Sequence, residues 1–494
     1  MPDESQWDDD MDQKKTPEAS LGRQVRANTR RGLGLYADFT ERLRTSGDVE
    51  ELIVGGYKSL RDTTTLRVRP LTILAGHNTS GKSSVMQPFL LLKQTLEQQS
   101  SFGLLSLEGP NVHFNRFEQL FWKGDSGAAE LMRVGYGYRS TEGLRRCTDA
   151  FAIVSNELVV AELSVSHGDQ EWVLKGPVPQ LLDESGRSWV GRGASGKLLA
   201  SVLWNEELTR VHEFQERVAV KNEGHGGSIL AFLDGSRAFV KPMLAYIPDE
   251  SNKRPQFSTF FSPFDVLEQW VRHLIHVPGD RGIMSRYHRW SPVGSGASVG
   301  VFQDHYSSVL WDWNKHKSNA TAVLERWMSK MWLGNHVQTR KVNDVDVEVI
   351  VSRKEKWSRD SSESEDMVSV ADTGLGVSYA LPWLVALALA EKQPVYIEEP
   401  EVHLHPEAQY RAAEVLAEAA SRGTTVIVET HSDILLVGIQ RMIAQGKLKP
   451  QDVSLNWFSR DEKGATSVVQ ADLTAGGDFG VWPGDLDSTL MRAQ

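Results

Sequence analysis

The run Gly76-His77-Asn78-Thr79-Ser80-Gly81-Lys82-Ser83 fits G-x-x-x-x-G-K-[ST], and its flanks limit what can be built around it. Leu71-Thr72-Ile73-Leu74-Ala75 before it is a short apolar run of strand character, and Ser84 to Gln98 after it reads as a helix. Strand, glycine loop and helix in that order make an anion site. The glycines let backbone N–H groups close around phosphate oxygens, and the helix N-terminus adds the positive end of its dipole. Gly76 to Ser84 are therefore the expected nucleotide-binding residues. Lys82 is expected to reach the β- and γ-phosphates, and the Ser83 hydroxyl to bind Mg²⁺. The ligand expected from this pattern is a nucleoside triphosphate, ATP with Mg²⁺.

The 494 residues allow about two to four domains and an ample core. With 24% charged and 40% hydrophobic residues, the composition is that of an ordinary soluble globular chain. No apolar run reaches the ~18 residues that span a bilayer, and the acidic, polar N-terminus is unlike a signal peptide. The single cysteine, Cys147, excludes an intrachain disulfide framework and a multi-cysteine zinc site, and reads as a packed side chain. A reducing cytoplasm fits this usage. The net charge of −11 gives no whole-molecule pull toward nucleic acid. Arg23, Arg26, Arg30 and Arg31 could form a local DNA-contacting patch. They follow Asp8, Asp9 and Asp10, however, and a solvated tail of mixed charge is the preferred reading.

Five stretches differ in character. Residues 1–48 are polar, with a short helix possible at Leu35 to Arg44. From 49 to 175, strand-like runs (Glu51 to Val54, Thr65 to Val68, Phe151 to Val154, Glu157 to Val165) surround the glycine loop. Residues 176–350 form an insertion with helical spacing at Phe264 to Ile275 and Ala320 to Trp332 and linkers at 193–197 and 294–298. It is expected to be mainly helical. A polar loop at Ser358 to Asp366 opens the stretch 351–445. There a buried helix (Val377 to Leu389), a strand (Pro394 to Ile397), an amphipathic helix (Glu407 to Ser421) ended by Gly423 and a second strand (Thr424 to Val428) alternate, as under a covered parallel sheet. In 446–494, Ser454 to Phe458 and Ala465 to Val469 flank a turn and predict a hairpin.

Three further constellations carry chemistry. Val395-Tyr396-Ile397-Glu398-Glu399-Pro400 is an apolar strand ending in two acids, which belong at the carboxyl edge of such a sheet. Glu398 would help to hold Mg²⁺, directly or through water, and Glu399 would orient or deprotonate the attacking water. Val426-Ile427-Val428-Glu429-Thr430-His431-Ser432 puts His431 one strand further on, able to reach the γ-phosphate. Asp372-Thr373-Gly374-Leu375-Gly376-Val377-Ser378 enters a helix and is either a plain helix-entry turn or a second phosphate site completing another subunit's.

In this order the elements resemble the ABC-type ATPase heads of the RecF/SMC/OLD group, and most nearly the prokaryotic AAA family ATPases of anti-phage systems such as Septu, Gabija and PARIS. Glu398 to Gln409 looks like that group's Walker B and D-loop stretch, Glu429 to Ser432 its switch-histidine motif and Gly374 to Pro382 its degenerate signature. Tyr57-Lys58-Ser59 is similar to its aromatic-basic-Ser segment, while His276 to Tyr287 and Asp478 to Asp487 match more weakly. Tyr379 stands where relatives often carry Gln, Pro88 lies beyond the first turn of the helix after the phosphate loop and is expected to kink it, and Gln119 is the candidate Q-loop glutamine. The 63 residues after His431 are too few for the Toprim nuclease that several relatives carry. The Asp485-x-Asp487 pair reads as surface acids.

The resemblance implies an α/β fold: an ABC-type P-loop ATPase head, a mixed sheet with a side β-subdomain. It implies an ATPase with Lys82, Glu399 and His431 as catalytic residues, Ser83 and Glu398 at the metal, and Gly374, Gly376 and Ser378 acting in trans across a head-to-head homodimer. It also implies a regulatory role toward a separate effector, such as a nuclease, in antiviral defence. A RecF-like DNA repair ATPase and an ATP-bound scaffold with little turnover are the alternatives.

Overall fold

The computed structural model describes residues 48–98, 104–124, 127–140, 143–168, 170–175, 227–237, 239–248, 256–259, 264–281, 285–290, 300–352 and 367–480. The basic cluster at Arg23 to Arg31, the helix at Leu35 to Arg44, the linkers at 193–197 and 294–298, the loop Ser358 to Asp366 and the Asp485/Asp487 pair lie outside them.

The central sheet has the order β13-β18-β19-β3-β20-β21, built from β3 (Leu71–Gly76), β13 (Ile275–Val277), β18 (Val395–Glu398), β19 (Val426–Thr430), β20 (Val453–Arg460) and β21 (Thr466–Gln470). All neighbours pair in parallel except β20 with β21, the expected terminal hairpin. The strands nearest the centre are mostly apolar because both faces of the sheet are covered, with Thr72, Glu429 and Thr430 as buried polar exceptions. Their period of two decides which core each side chain joins. Leu71, Ile73 and Ala75 of β3 point into one core with Val395, Ile397, Val426 and Val428. Leu74, Tyr396, Ile427 and Phe458 point into the other.

Helices α3 (Tyr306–His316), α4 (Asn319–Lys330), α5 (Leu375–Leu389), α6 (Pro406–Ser421) and α7 (Asp433–Ala444) contribute to the first core. Two signals visible in the sequence set the ends of α6: Pro406 opens it after the cap His405, and Gly423 follows it with φ +95°. Helix α5 is apolar on every side and accordingly buried along most of its length.

The second core lies between β3, α1 (Lys82–Glu97), α2 (Asp265–His273) and a six-stranded antiparallel side sheet. Its order is β2-β1-β6-β7-β8-β9, with β1 (Val49–Gly55), β2 (Thr64–Arg67), β6 (Met132–Ser140), β7 (Gly143–Val154), β8 (Glu157–His167) and β9 (Gln170–Lys175). Helix α1 runs unbroken through Pro88.

Smaller sheets join β4 (Lys123–Gly124) to β5 (Gly127–Ala128), and β10 (Gly227–Arg237) to β11 (Phe239–Pro248) and β12 (Gln256–Thr259). A four-stranded sheet has β14 (His288–Arg289), β15 (Val337–Lys341), β16 (Asp346–Ser352) and β17 (Met367–Ser369). Within 176–350 the described residues thus hold strands beside helices α2, α3 and α4. Cys147 is buried, and burial pushes its thiol up beyond the range in which it would ionise. No helix among the described residues is long and apolar enough to cross a membrane. The mixed sheet with phosphate loop and side β-subdomain is the α/β fold of an ABC-type P-loop ATPase head.

Leu384 is fully buried in α5 within the first core. Leu384→Ala is expected to cost about 2–5 kcal/mol, as for other core truncations. Denaturant unfolding should show an earlier midpoint.

Candidate nucleotide-hydrolysis site

The parallel register sets the site. Glu398 pairs with Glu429 across β18 and β19, and Thr430 pairs with Ala75 across β19 and β3. The acids, the switch histidine and the phosphate loop therefore leave the sheet at one carboxyl edge, where open α/β sheets place their ligands.

The loop is tightly seated. Gly81 has φ +100°, and a Cβ there would come within 2.2 Å of Thr466 Oγ1 and 2.6 Å of Ser59 Oγ. Thr466, on the terminal hairpin, donates from Oγ1 to Ser80 O at 2.8 Å, and its N–H donates to Ser59 O at 2.7 Å. The aromatic-basic-Ser segment thus braces the loop from the side sheet. Beside it, Lys58 Nζ donates to Gln87 Oε1 at 2.6 Å, and burial lowers the Lys58 pKa. Lys82 is buried at the start of α1, and its Nζ donates to Gly76 O and His77 O, both at 3.0 Å. A cavity of about 370 Å³ lies between Gly76, His77 and Asn78 on one side and His431, Asp433 and Trp457 on another.

Ser83 Oγ donates to Glu429 Oε1 at 2.8 Å, and Tyr396 OH donates to Glu429 Oε2 at 2.7 Å. Burial and the neighbouring Glu398 charge raise the Glu429 carboxyl above the ordinary carboxylate range, only partly opposed by those two donors. Glu398 goes the other way. Burial works to raise it too, but hydrogen bonds from His276 and the Gly279 N–H outweigh burial and hold it below the usual value. Two carboxylates side by side with opposite shifts are a pattern found at functional sites. Gly279 N donates to Glu398 Oε2 at 2.9 Å, and His276 Nε2 lies 3.2 Å from Oε1. His276 Nδ1 is 2.9 Å from Asn111 Oδ1, while the buried Asn111 Nδ2 makes no hydrogen bond.

Glu399 sits in the left-handed region at φ +46°, a conformation that costs a non-glycine residue roughly 1–3 kcal/mol. Its N–H donates to Glu429 O at 2.8 Å, and its Oε1 lies 3.6 Å from His431 Nδ1. Glu401 is buried, and its Oε1 accepts from Thr430 Oγ1 at 2.8 Å and His431 N–H at 3.0 Å, anchoring the histidine turn. Ser432 caps α7, its Oγ accepting from Leu435 N–H.

Lys82, Ser83, Glu398, Glu399 and His431 thus converge. The signature loop lies apart from the phosphate loop and packs on the turn after the acids: a Cβ at Gly376 would be 3.0 Å from His403 O. Ser378 Oγ donates to Val370 O at 3.2 Å and is buried, so the hydroxyl faces its own subunit, while Gly374 and Leu375 are exposed. Gln119 caps a short 3₁₀ turn, its Oε1 accepting from Asn115 and Arg116 N–H, and has no part in the acid cluster. Sequence reasoning gave no individual role to Glu429, Tyr396, His276 or Arg281, the last two noted only within a weakly matching segment, and Glu401 entered only as the alternative base. An acid inside the apolar strand Val426–Thr430 was the available signal for Glu429; the others depend on pairings distant in sequence.

Residues 330–437 match the family described as "AAA domain, putative AbiEii toxin, Type IV TA system". This stretch includes the signature loop, both acids and His431, but not the phosphate loop. No curated protein matches the chain. Among solved structures, the SMC head bound to the C-winged helix domain of ScpA is similar at 12% identity and TM-score 0.44, over 86% of this chain and 98% of that one. The SMC head domain from Thermotoga maritima has 12% identity and TM-score 0.36, over 86% and 100%. The SMC head domain with an extended coiled coil bound to the C-terminal domain of ScpA, derived from Pyrococcus furiosus, has 11% and 0.41, over 90% and 99%.

Lys82→Ala removes the ammonium group at the start of α1. The expected outcome is a loss of ATP affinity of about 10²-fold or more, read by titration with a fluorescent ATP analogue. Normal affinity in that variant would remove the loop from the binding site.

Proposed function

We propose that this protein binds ATP with Mg²⁺ and hydrolyses it to ADP and phosphate, as an ABC-type ATPase that closes into a head-to-head dimer around the nucleotide. The observation that carries this reading is the convergence of Lys82, Ser83, Glu398, Glu399 and His431 at one sheet edge. The residues suit a nucleotide-bound magnesium ion, which takes only one or two protein ligands and completes its shell with phosphate and water. Among the described residues no group of three or more His, Cys, Asp or Glu could hold a metal by itself. Ser83 and Glu398 would hold the ion, which when bound neutralises phosphate charge and orients the transferring group.

Lys82 exchanges its carbonyl partners for phosphate oxygens. Glu399 orients the attacking water and accepts its proton, and His431 reaches the γ-phosphate beside it. Gly374, Gly376 and Ser378 complete the site of the partner subunit. With the Ser378 hydroxyl turned inward, the exposed groups offered to the partner are the N–H donors at the start of α5, which favour an anion. Hydrolysis then loosens the dimer. The resemblance to defence ATPases supports a cytoplasmic sensor that controls a separate effector, such as a nuclease, and that DNA could trigger.

Glu399→Gln should bind ATP normally, hydrolyse it about 10²-fold more slowly or worse, and accumulate as an ATP-bound dimer. Phosphate release and size-exclusion chromatography with ATP measure both. If Glu399→Gln turns over normally and Glu401→Gln does not, the base is two residues away.

The trans arrangement has its own test. Lys82→Ala and Ser378→Arg subunits, each inactive alone, are co-expressed with different tags and purified as a heterodimer. One interface site then carries both defects and the other neither, so activity should partly return. An intact heterodimer as inactive as either parent argues against sites that are shared and independent.

A further inference from the structure

We propose that Arg281 is a positioning residue for hydrolysis, which holds the Glu398-Glu399 turn in its left-handed shape and links it to the start of α5 through Tyr379. The proposal rests on the reading of Glu399 as the base.

Arg281 follows β13, and its side chain is among the most buried charged groups in the protein at 3% exposure. Its guanidinium is not committed to a carboxylate. Nη1 donates to Pro278 O and Glu398 O, and Nη2 donates to Glu399 O, each at 2.8 Å. The backbone curls out of the sheet there, and the main-chain carbonyls on either side of the Glu399 Cα are both held by this one side chain. With the Glu399 N–H bound to Glu429 O at 2.8 Å, the peptide groups on both sides of the base's Cα are fixed. A planar fork spans these acceptors at once, whereas a lysine ammonium is a point donor on a flexible stem and cannot reproduce the spread. Burial lowers the Arg281 pKa to about 10, opposed by the charges of Glu398, Glu401 and Glu399, so the group stays cationic at neutral pH beside the acids it steadies.

The same guanidinium lies 5.5 Å from the centre of the Tyr379 ring. Tyr379 follows Ser378 on α5 and meets His403 edge-on at 4.5 Å. His403 has φ +61°, and its carbonyl is the atom that a Cβ on Gly376 would approach. Arg281, Tyr379 and His403 therefore form one packed unit between the base of a subunit and the loop that the same subunit would offer to the other nucleotide. No other charged side chain bonds both acidic residues' carbonyls among the described residues.

The test uses the full-length protein. Wild type and Glu399→Gln are assayed first; equal turnover in those two counts against the base, not against Arg281. Given an active wild type and a dead Glu399→Gln, Arg281→Lys is expected to lower kcat about 10²-fold, the scale of a displacement of about 1 Å at a reacting group. KM and the affinity for a fluorescent ATP analogue should stay within about threefold, because the phosphate loop is untouched. Tyr379→Leu should lower kcat about tenfold with the same unchanged affinity. A folded Arg281→Lys protein with wild-type kcat overturns the proposal. So does one whose ATP affinity falls as far as its kcat, since that is general structural damage. If Arg281→Lys does not fold, Tyr379→Leu decides: wild-type kcat there overturns the proposal as well.

Discussion

The parallel pairing of β18, β19 and β3 is the constraint from which the site follows. Parallel strands need crossovers, and here the crossovers are α6 and the long excursion that separates β3 from the rest of its sheet. In return, these three strands end at the same edge. A shift of one residue between β18 and β19 would turn Glu398 from one face to the other and separate it from Glu429. The apolar alternation that assigns Ile397 and Val428 to one core and Tyr396 and Ile427 to the other prevents that shift. Hydrophobic burial therefore sets the geometry of groups that are themselves polar.

Those polar groups form a layered arrangement. Ser83, Glu429 and Tyr396 make one chain of hydrogen bonds; Glu398, His276 and Asn111 make a second. Buried polar networks of this kind are costly if any member is left unsatisfied, which favours a single arrangement. The two acids are pushed in opposite directions: donors from His276 and the Gly279 N–H favour the charged form of Glu398, while burial and that neighbouring charge disfavour it at Glu429. The charge at this sheet edge is in this way set by neighbours within the fold.

Much of this was legible along the chain where the determinants are local. The glycine loop, the apolar helix α5, the acids after Ile397, His431 after its strand and Gly423 after α6 all carry their signals within a few residues. What was not legible is what the fold brings from afar. Strand β13 is only three residues long, too short to show a period, so nothing announced that His276 and Arg281 would lie against the acids. The terminal hairpin was expected from its turn, but its pairing with β3 was not. Ser378 was expected at a partner's phosphate because of its place in the motif; its inward hydrogen bond to Val370 depends on how the turn before α5 closes. The helical character expected of 176–350 came from two periodic stretches, and the strands beside them have a weaker pattern.

The hydrogen bond from Thr466 to Ser80 joins positions 386 residues apart. A growing chain leaves the ribosome with β3 and the phosphate loop early, but with neither sheet neighbour available. Both β19 and β20 are made much later, and the Thr466 brace comes after both. Contacts of such long range are slow to form and leave apolar strand edges waiting. The shape of the phosphate loop is thereby tied to finished synthesis: an immature chain carries the loop's residues without the β20 neighbour and the Thr466 brace that wall them in.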